Sequence, residues 1–479
     1  MHLAKRGWLR NLGSFAGIAV VTVCFTGTAS AGEWRLKDSV TASATVVDDS
    51  EGSSGTVLQL SPSLNLTGKG GRSKANAHYR LTLSEGTGDT NPRPIAHSLL
   101  AAGEVEAIED FFFLGGEATA RLSSGDGTTT SNVDSINFDR RGGQQSYSLR
   151  VKPIFKHHLN RYADFVSNNS VDYVVSDSGN SGSDSTSSRL HLGVQSGRYF
   201  GPLSWRSDVS QRSTHYDDRD DSTTTASAGV GYRVNPRLNL SSTIGWEDND
   251  VETSRSDTNG ITWSVGAAWN PTSRTSLSAN YGSRYFGHTY SGQISHVSRR
   301  TRTGITVSRD ISNRRSFELV DSFFFLADEN GNIIVDPDTG DPVIVNIPDL
   351  RDINEDFIST RVSGIVTVTG RRTNVSVTGY LSKREYEVSQ ANEDTYGMTA
   401  HVSRRLGGDY SASVSGGYTH SVNDNDAKSD SFDVRFSLSK RLSPRTSASL
   451  SVSHQEDDFS DSGTETENRI GLSLTTSFL

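Results

Sequence analysis

The close of the chain constrains its fold more than any other stretch. Ile470, Leu472, Leu474, Thr476 and Phe478 alternate with Arg469, Gly471, Ser473, Thr475 and Ser477. A two-residue period sends alternate side chains to opposite faces of a sheet. An apolar face that ends on an aromatic is the pattern of a lipid-facing barrel strand.

The same alternation recurs along the sequence. Leu58, Leu60, Leu64 and Leu66 form one stripe, Ala75, Ala77, Tyr79, Leu81 and Leu83 the next, and Tyr147, Leu149, Val151 and Phe155 another. Later stripes include Val230, Tyr232 and Val234; Trp263, Val265 and Trp269; Phe432, Val434, Phe436 and Leu438; and Ala448, Leu450 and Val452. Each suits a strand of ~9–11 residues, the length that crosses a membrane at a tilt. The connections alternate between two kinds. Short ones are rich in Asn, Pro, Gly and Ser, as in Val234-Asn235-Pro236-Arg237, Leu406-Gly407-Gly408-Asp409 and Leu442-Ser443-Pro444-Arg445, and read as tight reversals. Longer polar stretches lie between them, among them residues 247–260, 423–430 and 456–467.

These features predict an all-β chain: a transmembrane, antiparallel, up-and-down β-barrel with short periplasmic turns and long extracellular loops. Short turns near Gly70, Ile108, Asn160, Gly201, Asn235, Pro271, Asn313, Arg371, Gly408 and Pro444 imply about 22 strands, within about four. Residues 92–122 are ambiguous. The longest irregular stretch, residues 328–356, carries Ile333, Ile334 and Val335 before a turn and Val343, Ile344 and Val345 after it, which predicts a small hairpin inside the loop. That hairpin is either a constriction of the lumen or an exposed ornament.

Lys5, Arg6 and Arg10 precede an apolar run over residues 12–26, and Ala29-Ser30-Ala31 offers small residues before Gly32. Residues 1–31 therefore read as a cleaved secretory signal, and residues 32–479 as the barrel, with no plug domain expected ahead of Trp34. The only cysteine, Cys24, falls in the leader, so no disulfide or Cys metal site is expected in the mature chain. Only 33% of the chain is hydrophobic, against ~45–50% in ordinary globular proteins. A barrel accommodates that deficit, because its lumen and loops need no apolar residues. The expected location is the outer membrane of a Gram-negative bacterium.

Charge is unevenly placed. Basic residues gather beside the short turns, and Arg233, Arg237, Arg274, Arg314, Arg371, Arg404, Arg405, Arg441 and Arg445 are the candidate periplasmic-rim set. Acidic residues gather in the long loops, at 217–221, 247–250, 424–430 and 456–458. Either the gradient favours an anionic solute at the periplasmic mouth, or both sets are solvated rim residues. Trp205, Trp246, Trp263, Trp269, Tyr199, Phe200 and Tyr281 suit two interfacial girdles.

Signals for chemistry are weak. His157 and His158 are neighbours, and adjacent strand residues point to opposite faces. The sequence holds no Gly-rich phosphate loop, zinc motif or nucleophile elbow, so no enzyme activity, cofactor or metal is expected. No interleaved basic and aromatic patch points to nucleic acid.

Several segments are similar to a known group. Glu109-Asp110-Phe111-Phe112-Phe113-Leu114, Gln145-Ser146-Tyr147-Ser148-Leu149-Arg150-Val151 leading to Arg161-Tyr162-Ala163-Asp164, Arg384-Glu385-Tyr386, and the close from Leu442-Ser443-Pro444-Arg445 to Glu467-Asn468-Arg469 resemble the PEP-CTERM/exosortase-associated outer-membrane β-barrel family. Leu479 after Phe478 departs from the terminal aromatic more usual in barrels. The resemblance implies a porin-like barrel near exopolysaccharide export and carries over no functional residues. The expected function is thus an outer-membrane conduit for polysaccharide, with a general diffusion porin or a non-conducting structural barrel as alternatives. Expected partners are outer-membrane lipid and lipopolysaccharide, the barrel-assembly machinery and periplasmic polysaccharide-export components.

Overall fold

The structure, a computed structural model, describes residues 33–50, 54–123, 144–176, 184–216, 219–312, 323–325, 344–346, 356–424, 427–460 and 463–478. The leader, Cys24 and most of the 328–356 loop lie outside these.

The chain folds as β1 (Glu33–Asp49), β2 (Ser54–Lys69), β3 (Ser73–Gly86), β4 (Ile95–Ile108), β5 (Phe112–Ser123), β6 (Gln144–Asn160), β7 (Ala163–Asn168) and β8 (Ser170–Ser176). Next come β9 (Ser185–Ser196), β10 (Leu203–Tyr216), β11 (Asp220–Asn235), β12 (Leu238–Asp250), β13 (Gly260–Thr272), β14 (Thr275–Arg284), β15 (Gly287–Val297) and β16 (Thr301–Ser312). A separate pair, β17 (Phe323–Phe325) and β18 (Ile344–Asn346), precedes β19 (Phe357–Thr369) and β20 (Thr373–Tyr386). The chain closes with β21 (Asn392–Gly407), β22 (Tyr410–Asn423), β23 (Lys428–Arg441), β24 (Thr446–Phe459) and β25 (Gly463–Ser477).

Each barrel strand pairs antiparallel with its sequence neighbour, and β25 returns to pair with β1, from Ser477 opposite Ser39 to Glu467 opposite Asp49. Closure leaves no free edge, the condition for a sheet to stand in lipid. The sheet counts 23 strands, but β7 and β8 are halves of one. Both pair with β6 and with β9 in an unbroken register, Ile154 opposite Asn168 and Val151 opposite Val171. The break falls where Pro153 on β6 has no N–H to give. There Asn169 N donates to Pro153 O (3.1 Å), and the Asn169 side chain accepts from His191 N (3.1 Å). Merging the halves, 23 − 1 gives 22 strands, the predicted number.

Ten connections of two to six residues lie at one rim, taken as periplasmic by their shortness. Nine fall where the sequence places them; the tenth is at Ser298-Arg299-Arg300, not at Asn313, because β16 rises away from that rim and its end at Ser312 pairs with Phe357. The ambiguous stretch resolves into β4 and β5. Within the long loop Phe323–Phe325 pairs with Ile344–Asn346, while Ile333, Ile334 and Val335 of the expected hairpin lie outside the described residues.

Most strands run 12 to 17 residues, longer than a membrane crossing needs. They continue beyond the apolar belt into the polar stretches that the sequence suggested were loops. On β24 the outward face reads Ala448, Leu450, Val452, then His454, Glu456 and Asp458.

Candidate functional site

The register divides every strand between lipid and lumen. Leu58, Ala44, Leu472, Leu450 and Leu438 stand side by side across neighbouring strands on the outer face. The apolar groups there are open to the surroundings, Leu472 at 62% and Ile261 at 72%. Trp34, Tyr199 and Trp269 mark the periplasmic end of this belt, and Trp246, Trp263, Tyr281, Tyr396 and Tyr418 the opposite end. The Trp34 ring lies on Gly68, where any Cβ would meet it at 2.0 Å.

The inner face is hydroxyl-lined. Residues directly opposite each other bond through their side chains: Ser39 with Ser63 (2.7 Å), Thr41 with Thr475 (2.9 Å), Ser449 with Ser473 (2.6 Å), Ser411 with Ser439 (2.6 Å), and Thr306 with Ser363 (2.6 Å). Further pairs, Ser276 with Ser295 (3.1 Å), Ser210 with Thr225 (2.8 Å), Ser187 with Thr214 (3.0 Å) and Thr119 with Ser148 (2.6 Å), carry the pattern round the circumference. On β5 to β10 charged pairs interrupt it. Arg150 bridges Glu117 (3.4 Å) and Asp172, Lys152 also meets Glu117, and Asp208 takes both His191 (3.1 Å) and Arg206 (2.5 Å).

Eight of the nine rim arginines stand at the short-turn rim: Arg233, Arg237, Arg274, Arg371, Arg404, Arg405, Arg441 and Arg445. Arg314 lies outside the described residues. Several of the eight staple neighbouring turns. Arg237 Nη1 donates to Pro271 O (3.1 Å), Arg405 Nη2 to Arg371 O (3.4 Å), Arg441 Nη2 to Asp409 Oδ1 (2.9 Å) and Arg445 Nη1 to Phe478 O (3.0 Å). Arg404 shares the outward face with Val402, whereas Arg405 shares the inward face with Ser403.

At the opposite rim the structure assembles a collar that the sequence did not announce. The 251–259 connection reaches the 387–391 connection, six strands further round the wall. Arg255 grips Glu387 in a fork, Nε to Oε2 at 2.7 Å and Nη2 to Oε1 at 3.0 Å. Thr253 Oγ1 donates to Glu387 Oε2 (2.8 Å), Ser254 N to Glu387 O (3.0 Å), and Gln390 Nε2 to Ser254 Oγ (3.2 Å). Glu387 N in turn donates to Asp356 O (2.8 Å), and Asp356 faces Arg219, which pairs with Asp221 (3.1 Å) and Glu252. Beneath lies Glu247, 1% exposed, which accepts from Arg284 (2.8 Å) and from Tyr285 N (2.9 Å). Tyr216, Phe286 and Phe357 are buried in the same cluster.

The acidic outer loops are therefore not simply a solvated fringe: Glu247 and Asp221 are buried and paired. Hydrogen bonding to Glu387 raises the Arg255 pKa despite burial. Burial opposes the charge on Arg219, but Asp221, Glu252 and Asp356 outweigh it, and its pKa too is raised. The Tyr285 phenol is pushed well above the usual tyrosine range, by burial first and then by Glu387 and Asp356.

His157 and His158 part as the strand rule requires. His157 rests edge-on against Phe111, and His158 bonds Asp164. Among the described residues no group of three or more His, Cys, Asp or Glu could hold a metal.

No protein-family profile matches the chain, and no curated protein does. Among solved structures, the FrpB iron transporter from Neisseria meningitidis, F5-1 variant apoprotein, is similar with a TM-score of 0.51 at 9% identity, over 92% of this chain and 81% of that one. The F3-3 variant gives 0.50 at 10% identity, over 92% and 81%. The siderophore receptor PirA from Pseudomonas aeruginosa gives 0.45 at 11%, over 93% and 81%. At such identities the likeness is one of fold.

A closed barrel of 22 antiparallel strands, apolar toward lipid and hydroxylated within, has the fold of an outer-membrane β-barrel. Its place is the outer membrane of a Gram-negative bacterium.

Proposed function

We propose that the barrel is a passive conduit for a hydrophilic polymer and serves export of an extracellular polysaccharide. The cross-strand hydroxyl pairs of the inner face carry this reading. Short hydroxyl side chains that already satisfy one another offer a passing sugar many weak, exchangeable hydrogen bonds and no single tight site. Threading asks for that balance, because a polymer that binds too well does not leave. The resemblance to a family linked with exopolysaccharide loci points the same way. No catalytic step is assigned to the wall.

The test is genetic and biochemical together. A strain lacking the gene should lose polymer from the culture supernatant while still synthesising it, and normal secreted polymer would refute the export role. Liposome swelling with graded sugars separates the readings: uptake of small solutes in a strain whose polymer export never depended on the gene marks a general porin. No conductance from folded protein marks a structural barrel.

A further inference from the structure

We infer that the 251–259 connection is a releasable strap across the outer mouth, held by the Arg255–Glu387 pair, and that its release widens the opening. The inference rests on the conduit reading.

The contact is long-range in a way that a simple hairpin loop is not. Residues 251–259 join β12 to β13 and need only turn the chain. Instead they reach past β13, β14, β15, β16 and β19 to meet the connection after β20. They cross low ground, since β14 and β15 span only 10 and 11 residues and their hairpin is just Tyr285 and Phe286. The strap therefore lies over the lowest part of the outer rim.

Its fastenings are few and polar. Across the gap run the Arg255 fork, the Thr253 and Gln390 side-chain bonds, and one backbone bond from Ser254, while the root of the strap is held by Glu252 on Arg219, which also faces Asp356. The Glu387 side chain is 3% exposed and that of Arg255 39%, so one end is fixed in the wall and the other is open to water. At the base of the strap, Asn249 Nδ2 on β12 donates to Thr258 O (2.7 Å) and Thr258 Oγ1 to Asn249 O (2.6 Å), so the loop keeps its own shape when the fork is undone. The fork is thus the fastening whose loss moves the strap as a unit.

Trypsin cuts after arginine, which makes the strap its own probe. Purified full-length mature protein in liposomes is treated with trypsin, and cleavage between Arg255 and Ser256 is followed by fragment mass. Glu387→Gln keeps the shape of the buried partner and removes its charge, and should speed this cut about fivefold, as expected when an ion pair with one partner open to water holds a local opening. The same variant should show raised single-channel conductance. In Ser254→Cys/Gln390→Cys, oxidation should slow the cut and hold conductance at or below the parent's, and reductant should reverse both. Equal cleavage in parent and Glu387→Gln overturns the strap, and so does faster cleavage with unchanged conductance in protein that conducts. If parent and variants are all silent in bilayers while cleavage still accelerates, the conduit reading fails and the releasable strap stands.

Discussion

At the scale of single residues, adjacent side chains live in opposite solvents. Leu472 stands in lipid and Ser473 one position on bonds Ser449 across the lumen face. Leu472→Arg should destabilise the barrel by about 2–4 kcal/mol, the cost of a cation near the bilayer midplane, and Ser473→Arg by far less. Urea-induced unfolding in lipid vesicles reads both, and equal losses would contradict the assigned faces. The same parity distinguishes adjacent rim arginines. Charge reversal at Arg405 and Arg441 should shift ion selectivity in bilayers, whereas reversal at Arg404 should lower insertion yield and leave selectivity unchanged. The collar answers to pH with a sign its groups fix. Tyr285 and the paired Arg219 and Arg255 have raised pKa values. Their contribution is complete below the ordinary tyrosine value of ~10 and is lost only as pH climbs through the raised values. Conductance should be level between about pH 7 and 9 and rise only in stronger alkali; a step near neutrality would exclude these groups as its guardians.

At the scale of elements, the broken strand shows how the sheet manages a proline. Pro153 removes a donor in mid-wall, and there Asn169 donates its N–H to Pro153 O and accepts His191 N on its side chain, which ties the break to both neighbouring strands. Asn169→Ala should cost about 1–2 kcal/mol by leaving His191 N without its acceptor, measurable as an earlier urea midpoint. The turns carry their own constraints. Gly407 (φ 99°), Gly408 (φ 58°) and Asp409 (φ 66°) stand consecutively in the left-handed region, so the β21–β22 reversal needs its glycines. Strand positions were legible from stripes such as Phe432 to Leu438, but strand ends were not. Above the belt the outward face turns polar, as at His454 and Glu456, and the two-residue contrast vanishes although the ladder continues. The misplaced turn at Asn313 has a related cause: Asn and Ser near basic residues occur at both rims, and only the pairing of Ser312 with Phe357 shows which rim it is.

At the scale of the whole molecule, function depends on what the cylinder lets through. In planar bilayers the protein should conduct, and neutral oligosaccharides should cause brief, reversible blockades whose frequency rises with chain length, because each added sugar meets more hydroxyls. Blockades that last long enough to saturate at low concentration would argue for a discrete binding site and against threading. The amino-acid sequence by itself determined the closed barrel, its outward and inward faces, the approximate strand number and the crowding of arginines at the short turns. Those follow from local periodicity and turn chemistry, which each segment carries in its own residues. Only the tertiary structure decided that Arg255 meets Glu387, that Glu247 is buried, and that β7 and β8 are one strand. Each depends on which segments closure brings together, and no local pattern in either partner records the other.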